Sequence, residues 1–129
     1  MMKLVKVFAL FFVLHAAGWA AAHMYLDQNP KQVLLVVDTS YSMKPKFTDI
    51  DEWIDDYVAS SRYQSIRVGT DKAMLGKLDE LKARSVIFRT AFGRMTEGSL
   101  DRYYGIAAEE KILLSDGSIK PEGWKVVSF

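Results

Sequence analysis

Gln32 to Val37 reads QVLLVV, and no other stretch narrows the fold as much. The run is short, continuous and apolar, with valine at three of its six positions. Such a run suits a strand covered on both faces, as in a parallel sheet. It stops sharply at Asp38-Thr39-Ser40-Tyr41-Ser42-Met43, and Lys44-Pro45-Lys46 then breaks regular structure. A second run, Lys111 to Leu114 (KILL), ends in Ser115-Asp116-Gly117. Two strands are therefore each followed at once by an aspartate. In open α/β sheets ligands gather beyond the carboxyl ends of the strands, so Asp38 and Asp116 are expected to share that edge.

The remaining elements follow from periodicity. Thr48 to Ser61 predicts a helix, because Ile50, Trp53, Ile54, Tyr57 and Val58 recur at helical spacing. Thr48 or Asp49 can cap it, with Asp51 or Glu52 as the answering acid. Asp51, Glu52, Asp55 and Asp56 lie off the stripe and read as a solvated face. Ser65 to Val68 predicts a strand, and Gly69-Thr70-Asp71 a turn and cap before a second helix over 72–83 with Met74, Leu75, Leu78 and Leu81 inward. Ser85 to Phe92 predicts a third strand, Gly93 to Gly98 a loop, and Ser99 to Ile106 a short helix. Lys111 to Leu114 is then the fourth strand and Trp124 to Phe129 the fifth. Trp53, Trp124, Tyr103 and Tyr104 read as core. Alternating strands and helices predict an α/β fold with a mostly parallel central sheet and helices on both faces.

Residues 1–22 stand apart. Lys3 and Lys6 precede an uncharged stretch from Val7 to Ala22 that closes on three alanines, the pattern of a secretory signal peptide. An uncleaved membrane anchor through residues 4–22 is the competing reading. Either way the rest of the chain is exported, to the periplasm or the outside in a bacterium, or stays tethered to the inner membrane facing the periplasm. Residues 23–31, with Asn29-Pro30, read as a linker, and 32–129 as one domain.

Composition excludes several classes. Of 129 residues half are hydrophobic, and 17 basic against 16 acidic side chains give a net charge of +1, so nothing marks a nucleic-acid partner. Cysteine is absent, which removes disulfides, thiolate metal sites and thiol nucleophiles. His23 is the only histidine outside residues 1–22, so no Ser-His-Asp triad can be assembled, and there is no Walker loop or dinucleotide fingerprint.

The chemistry lies in Asp38-Thr39-Ser40-Tyr41-Ser42, which has the form D-x-S-x-S. In an extended segment alternate residues point the same way, so one carboxylate and two hydroxyls can converge. Oxygen donors of this kind suit hard cations such as magnesium. Two of the three are neutral, which leaves a bound ion with positive charge to satisfy from outside. The same residues also fit a turn with side-chain caps.

Val36 to Met43 resembles the opening of a von Willebrand factor A domain, a family with a metal-ion-dependent adhesion site of the pattern D-x-S-x-S, then a distant Thr, then a distant Asp. Ile112 to Gly117 is similar to that family's fourth strand and Asp-Gly, and Val86 to Gly93 to the strand before its Thr loop. The resemblance implies a shortened, Rossmann-like α/β domain. It implies that Ser40 and Ser42 bind the ion directly, that Asp38 and Asp116 hold it through waters and hydrogen bonds, and that Thr96, or alternatively Thr70, supplies the threonine. The implied ion is Mg2+, or another divalent cation such as Mn2+ or Ca2+. The implied function is binding, with a partner protein's Asp or Glu completing the metal shell. The alternatives are a metal-dependent hydrolase, a phosphatase or nuclease using Asp38 and Asp116, and a structural domain with a vestigial site. Three or more converging acids would favour the enzyme.

Overall fold

The computed structural model describes residues 2–89 and 91–129. Contacts divide the chain into two units, Met1–Pro30 and Lys31–Phe129.

The first unit is a single helix, α1 (Met2–Gln28), with no buried residue. It is long and apolar enough to cross a membrane, a property that signal sequences share. Residues 23–28, expected in a linker, continue this helix. It stops where Pro30 disfavours the helical conformation of the residue before it. Met1 of the expected signal segment lies outside the described residues.

The second unit is built on β1 (Lys31–Val37), α2 (Phe47–Ser60), β2 (Gln64–Thr70), β3 (Met74–Lys77), β4 (Glu110–Ser115) and β5 (Lys125–Ser128). The five strands form one sheet in the order β3-β2-β1-β4-β5. β1 pairs in parallel with β2 and β4, and β4 in parallel with β5. Only the β2–β3 hairpin is antiparallel. The fold is therefore α/β with a mostly parallel sheet, and β1 is its central strand.

That position explains the continuous apolar run. Val33, Leu35 and Val37 point to one face, where they meet Ile112, Leu114 and Val68 under Ile50 and Ile54 of α2. Leu34 and Val36 point to the other, against Leu113, Met95, Leu100 and Tyr103. A strand covered on both sides cannot alternate polar and apolar residues. Full burial of Ile50 and Ile54 contributes roughly 2 kcal/mol each. On the second face the cover is a 3-10 helix, Glu97–Tyr103, in place of the expected helix over 99–106.

Four further expectations need correction. First, α2 begins at Phe47 directly from the 3-10 helix Tyr41–Lys46, and its N-cap, Lys46, makes no side-chain cap bond. Neither Thr48 nor Asp49 is therefore the cap. Second, Val58 of the predicted stripe is 42% exposed, and Tyr104, expected in the core, is 61% exposed.

Third, the helix expected over 72–83 is absent: β3 and the 3-10 turn Leu78–Glu80 occupy that stretch. Met74 packs with the core on one face of the sheet and Leu75 with the core on the other, the period of a strand. Gly76 sits at φ +119°, which a helix cannot contain.

Fourth, the strand expected over 85–92 does not form, although Thr90 lies outside the described residues. Arg84–Val86 is a 3-10 turn instead. Arg84 ion-pairs with Asp55 of α2, and its Nε lies 3.1 Å from Asp51 Oδ1. The segment lies under α2 as packing, with Ile87 buried and Phe88 tilted on Phe47 at 4.9 Å.

Candidate functional site at the carboxyl edge of the sheet

The register brings Asp38 and Asp116 to one edge. Val36 pairs with Leu113 and Val37 with Leu114 across the β1–β4 ladder. The Asp38 amide extends that ladder by donating to the Leu114 carbonyl at 2.9 Å. On the other side of β1, Val37 pairs with Thr70. Three strand ends, followed by Asp38, Asp71 and Asp116, therefore lie side by side.

Asp38 is 4% exposed, and its Oδ1 accepts the Ser40 amide at 2.9 Å. Burial raises its pKa above the ordinary carboxylate value, opposed by the hydrogen bonds from Ser40 and reinforced by the charges of Asp71 and Asp116. The Ser40 and Ser42 hydroxyl oxygens are 3.3 Å apart, so the two side chains do converge. Ser40 is buried and Ser42 is exposed.

Asp116 is held differently. It is exposed, and its Oδ1 accepts the Ser118 amide at 2.9 Å. Hydrogen bonding from Ser118 holds its pKa below the ordinary value, and the charge of Arg94 adds to this. Gly117 makes the turn possible. It sits at φ +82°, and a Cβ there would lie 3.3 Å from Ser128 Cβ and overlap the Ser128 hydroxyl.

The two candidate threonines occupy different settings. Thr96 is exposed and caps the 3-10 helix over 97–103, where its amide donates to Ser99 Oγ at 3.1 Å. Its hydroxyl oxygen lies 3.4 Å from the same oxygen. Thr70 ends β2 beside β1, and its hydroxyl accepts the amides of Lys72 at 3.1 Å and Ala73 at 3.2 Å.

Sequence reasoning missed the group beside Asp38. Asp71 is 8% exposed, and its Oδ1 accepts both the Thr39 amide at 3.1 Å and the Thr39 hydroxyl at 2.6 Å. The Lys72 ammonium donates to the Thr39 carbonyl and hydroxyl, both at 2.8 Å, and pairs with Asp71 Oδ2 at 3.1 Å. The ring of Phe92 covers it, with its centroid 4.4 Å from Nζ. The Phe92 amide in turn donates to the Thr39 carbonyl at 3.3 Å. From the opposite face Tyr103 pins the turn. Its hydroxyl donates to the carbonyl of Thr70 and, at 3.1 Å, to that of Ala73. The missed signal was the rule already applied to Asp38 and Asp116, since Asp71 too follows a strand.

The donor set is chemically suited to a hard divalent ion. Asp38, Ser40, Ser42 and Asp116 offer two carboxylates and two neutral hydroxyls along one edge. Among the described residues, no three histidine, aspartate or glutamate side chains gather as a group able to hold a metal ion. The third nearby acid, Asp71, is engaged by Lys72 and Thr39. Comparison of the chain with known protein families, with curated proteins and with solved structures finds no match.

Proposed function

We propose that Lys31–Phe129 is a von Willebrand A-like binding domain that takes a divalent cation, Mg2+ or a close substitute, at Asp38, Ser40, Ser42 and Asp116. The ion then captures an acidic side chain of a partner protein. The observation that carries this reading is the β1–β4 register, which sets both aspartates at one edge beside the paired serine hydroxyls. Thr96 is the candidate threonine of this set, and its hydroxyl lies beside Ser99 at the start of the 3-10 helix over 97–103. An ion held by two carboxylates and neutral oxygens keeps uncompensated charge and open positions for water or an outside carboxylate. Exposed Tyr41, between Ser40 and Ser42 in the chain, and exposed Phe92, whose amide donates to the Thr39 carbonyl, offer aromatic contact area to the same partner. A hydrolase would need acids converging on the ion or a general base, and Asp71 is instead paired with Lys72.

Export accompanies this reading. We take α1 as a signal sequence cut near Ala22, which delivers the domain outside the cytoplasm; N-terminal sequencing of recovered protein should then begin near His23. Full-length chain found only in membranes would make α1 an anchor.

The binding test is a pull-down with the full chain in magnesium, repeated in chelator and with Asp38→Ala. Specific capture should need both the ion and Asp38. Equal capture under every condition would overturn the adhesion mechanism.

A further inference from the structure

Lys72 is a cation built into the edge where the divalent ion is proposed to bind. Its ammonium is largely enclosed, with its side chain 20% exposed and that of Asp71 only 5%. Three donors meet the Thr39 carbonyl, the Thr39 hydroxyl and the Asp71 carboxylate, so its hydrogen-bonding capacity is filled within the protein. Thr39 lies between Asp38 and Ser40 in the chain, and the same Asp71 oxygen that takes the Lys72 proton also takes the Thr39 amide. The loop carrying two proposed ligands is thus tied to this ion pair through its middle residue.

The electrostatic consequence is direct. Asp71 lies at the strand end next to that of Asp38, and without Lys72 its charge would add to the field on any cation there. With Lys72 in place, Asp71 is neutralised and already hydrogen-bonded. The pair is enclosed, so solvent screens it less than a surface pair.

We propose that Lys72 sets the affinity of this site: it is a resident ammonium that cancels Asp71 and keeps the divalent ion at modest affinity, with positions left open for the partner's carboxylate. This rests on the function proposed above and adds the residue that sets its strength.

The test is calorimetric titration of Mg2+ and Mn2+ into the full chain, kept in detergent, for wild type, Lys72→Met, Asp71→Asn and the double variant. Lys72→Met leaves Asp71 uncompensated and should tighten the ion by on the order of tenfold. Asp71→Asn leaves Lys72 uncompensated and should weaken it by a similar factor. The double variant should return close to wild type. If Lys72→Met fails to fold, the loss in Asp71→Asn and its recovery in the double variant carry the test. Wild-type binding that no variant changes by more than about twofold overturns the role of Lys72 and leaves the adhesion reading standing. If wild type binds no ion and Lys72→Met does, Lys72 excludes the ion outright, which supports its role and overturns the adhesion reading. If no form binds, both fall.

Discussion

The amide of Asp38 donates to the carbonyl of Leu114 at 2.9 Å, so the most buried acid of the site is fixed by the last rung of the sheet's central ladder. Its carboxylate pays for this position in solvation, since burial raises its pKa. Between the unfolded and the folded value, the folded state holds a proton that the unfolded chain has released. The contribution of Asp38 to stability is therefore most favourable below the unfolded pKa and declines as pH rises through the window. Asp38→Asn keeps the acceptor for Ser40 and removes the charge. It should stabilise the domain by about 1 kcal/mol at neutral pH, with the gain vanishing near about pH 3, as thermal unfolding of both proteins at the two pH values would show. The proposed ion binding should be lost in the same variant.

Tyr103→Phe removes the hydroxyl that holds the carbonyls of Thr70 and Ala73. The expected cost is about 1–3 kcal/mol, because buried acceptors lose their donor. Urea unfolding measures it. The wild type should also show an alkaline signature. Burial pushes the Tyr103 pKa up to about 12, so the unfolded chain ionises near pH 10 while the folded state does not. Stability should fall between about pH 10 and 12, and the part due to Tyr103 should be missing from Tyr103→Phe.

Gly69 lies against the same ring. A Cβ at this position would come 2.9 Å from Tyr103 Cε1 and Cζ. Gly69→Ala should therefore destabilise by about 1–3 kcal/mol through overpacking. Combining it with Tyr103→Leu should cost less than the sum of the two, since the clash disappears with the ring. A double-mutant cycle by chemical denaturation decides this.

Arg84 ties its segment to α2 through Asp51 and Asp55. All three side chains are partly exposed, so Arg84→Ala should cost no more than about 1 kcal/mol, and less in high salt. The informative readout is amide exchange over 84–89, which should rise while β1 and β4 stay protected.

The contrast between legible and illegible elements has a physical basis. β1 and β4 could be read because continuous apolar runs have few places to go except the middle of a sheet, and the residues that end them mark its edge. α2 could be read because Ile50, Trp53, Ile54 and Tyr57 recur at helical spacing over about two turns. The segment over 72–83 misled because Met74, Leu75, Leu78 and Leu81 also fit a helical stripe, and four residues of alternation are too few to outweigh it. Gly76 was the warning. Ser85 to Phe92 has the composition of a strand, but Ile87 and Phe88 fill space beneath α2 instead. The helix expected over 72–83 also hid the third acid at the carboxyl edge of the sheet. Once Thr70 and Asp71 are taken as a helix cap, Asp71 no longer counts as a strand-end carboxylate, and Lys72 becomes an ordinary surface residue.

The central place of β1 also governs the order in which the domain can be finished. Its first neighbour, β2, lies close in the chain, but Val33 meets Glu110 only after the long excursion through residues 64–109. The second ladder therefore closes a large loop, a costly and slow event compared with a local hairpin. Until then one side of β1 is a bare row of amides and carbonyls on a strand with five consecutive buried positions. A bare apolar edge of this kind invites pairing with other chains. The domain is exposed to aggregation for as long as β4 is missing, and a chain ending before Glu110 would carry that hazard permanently.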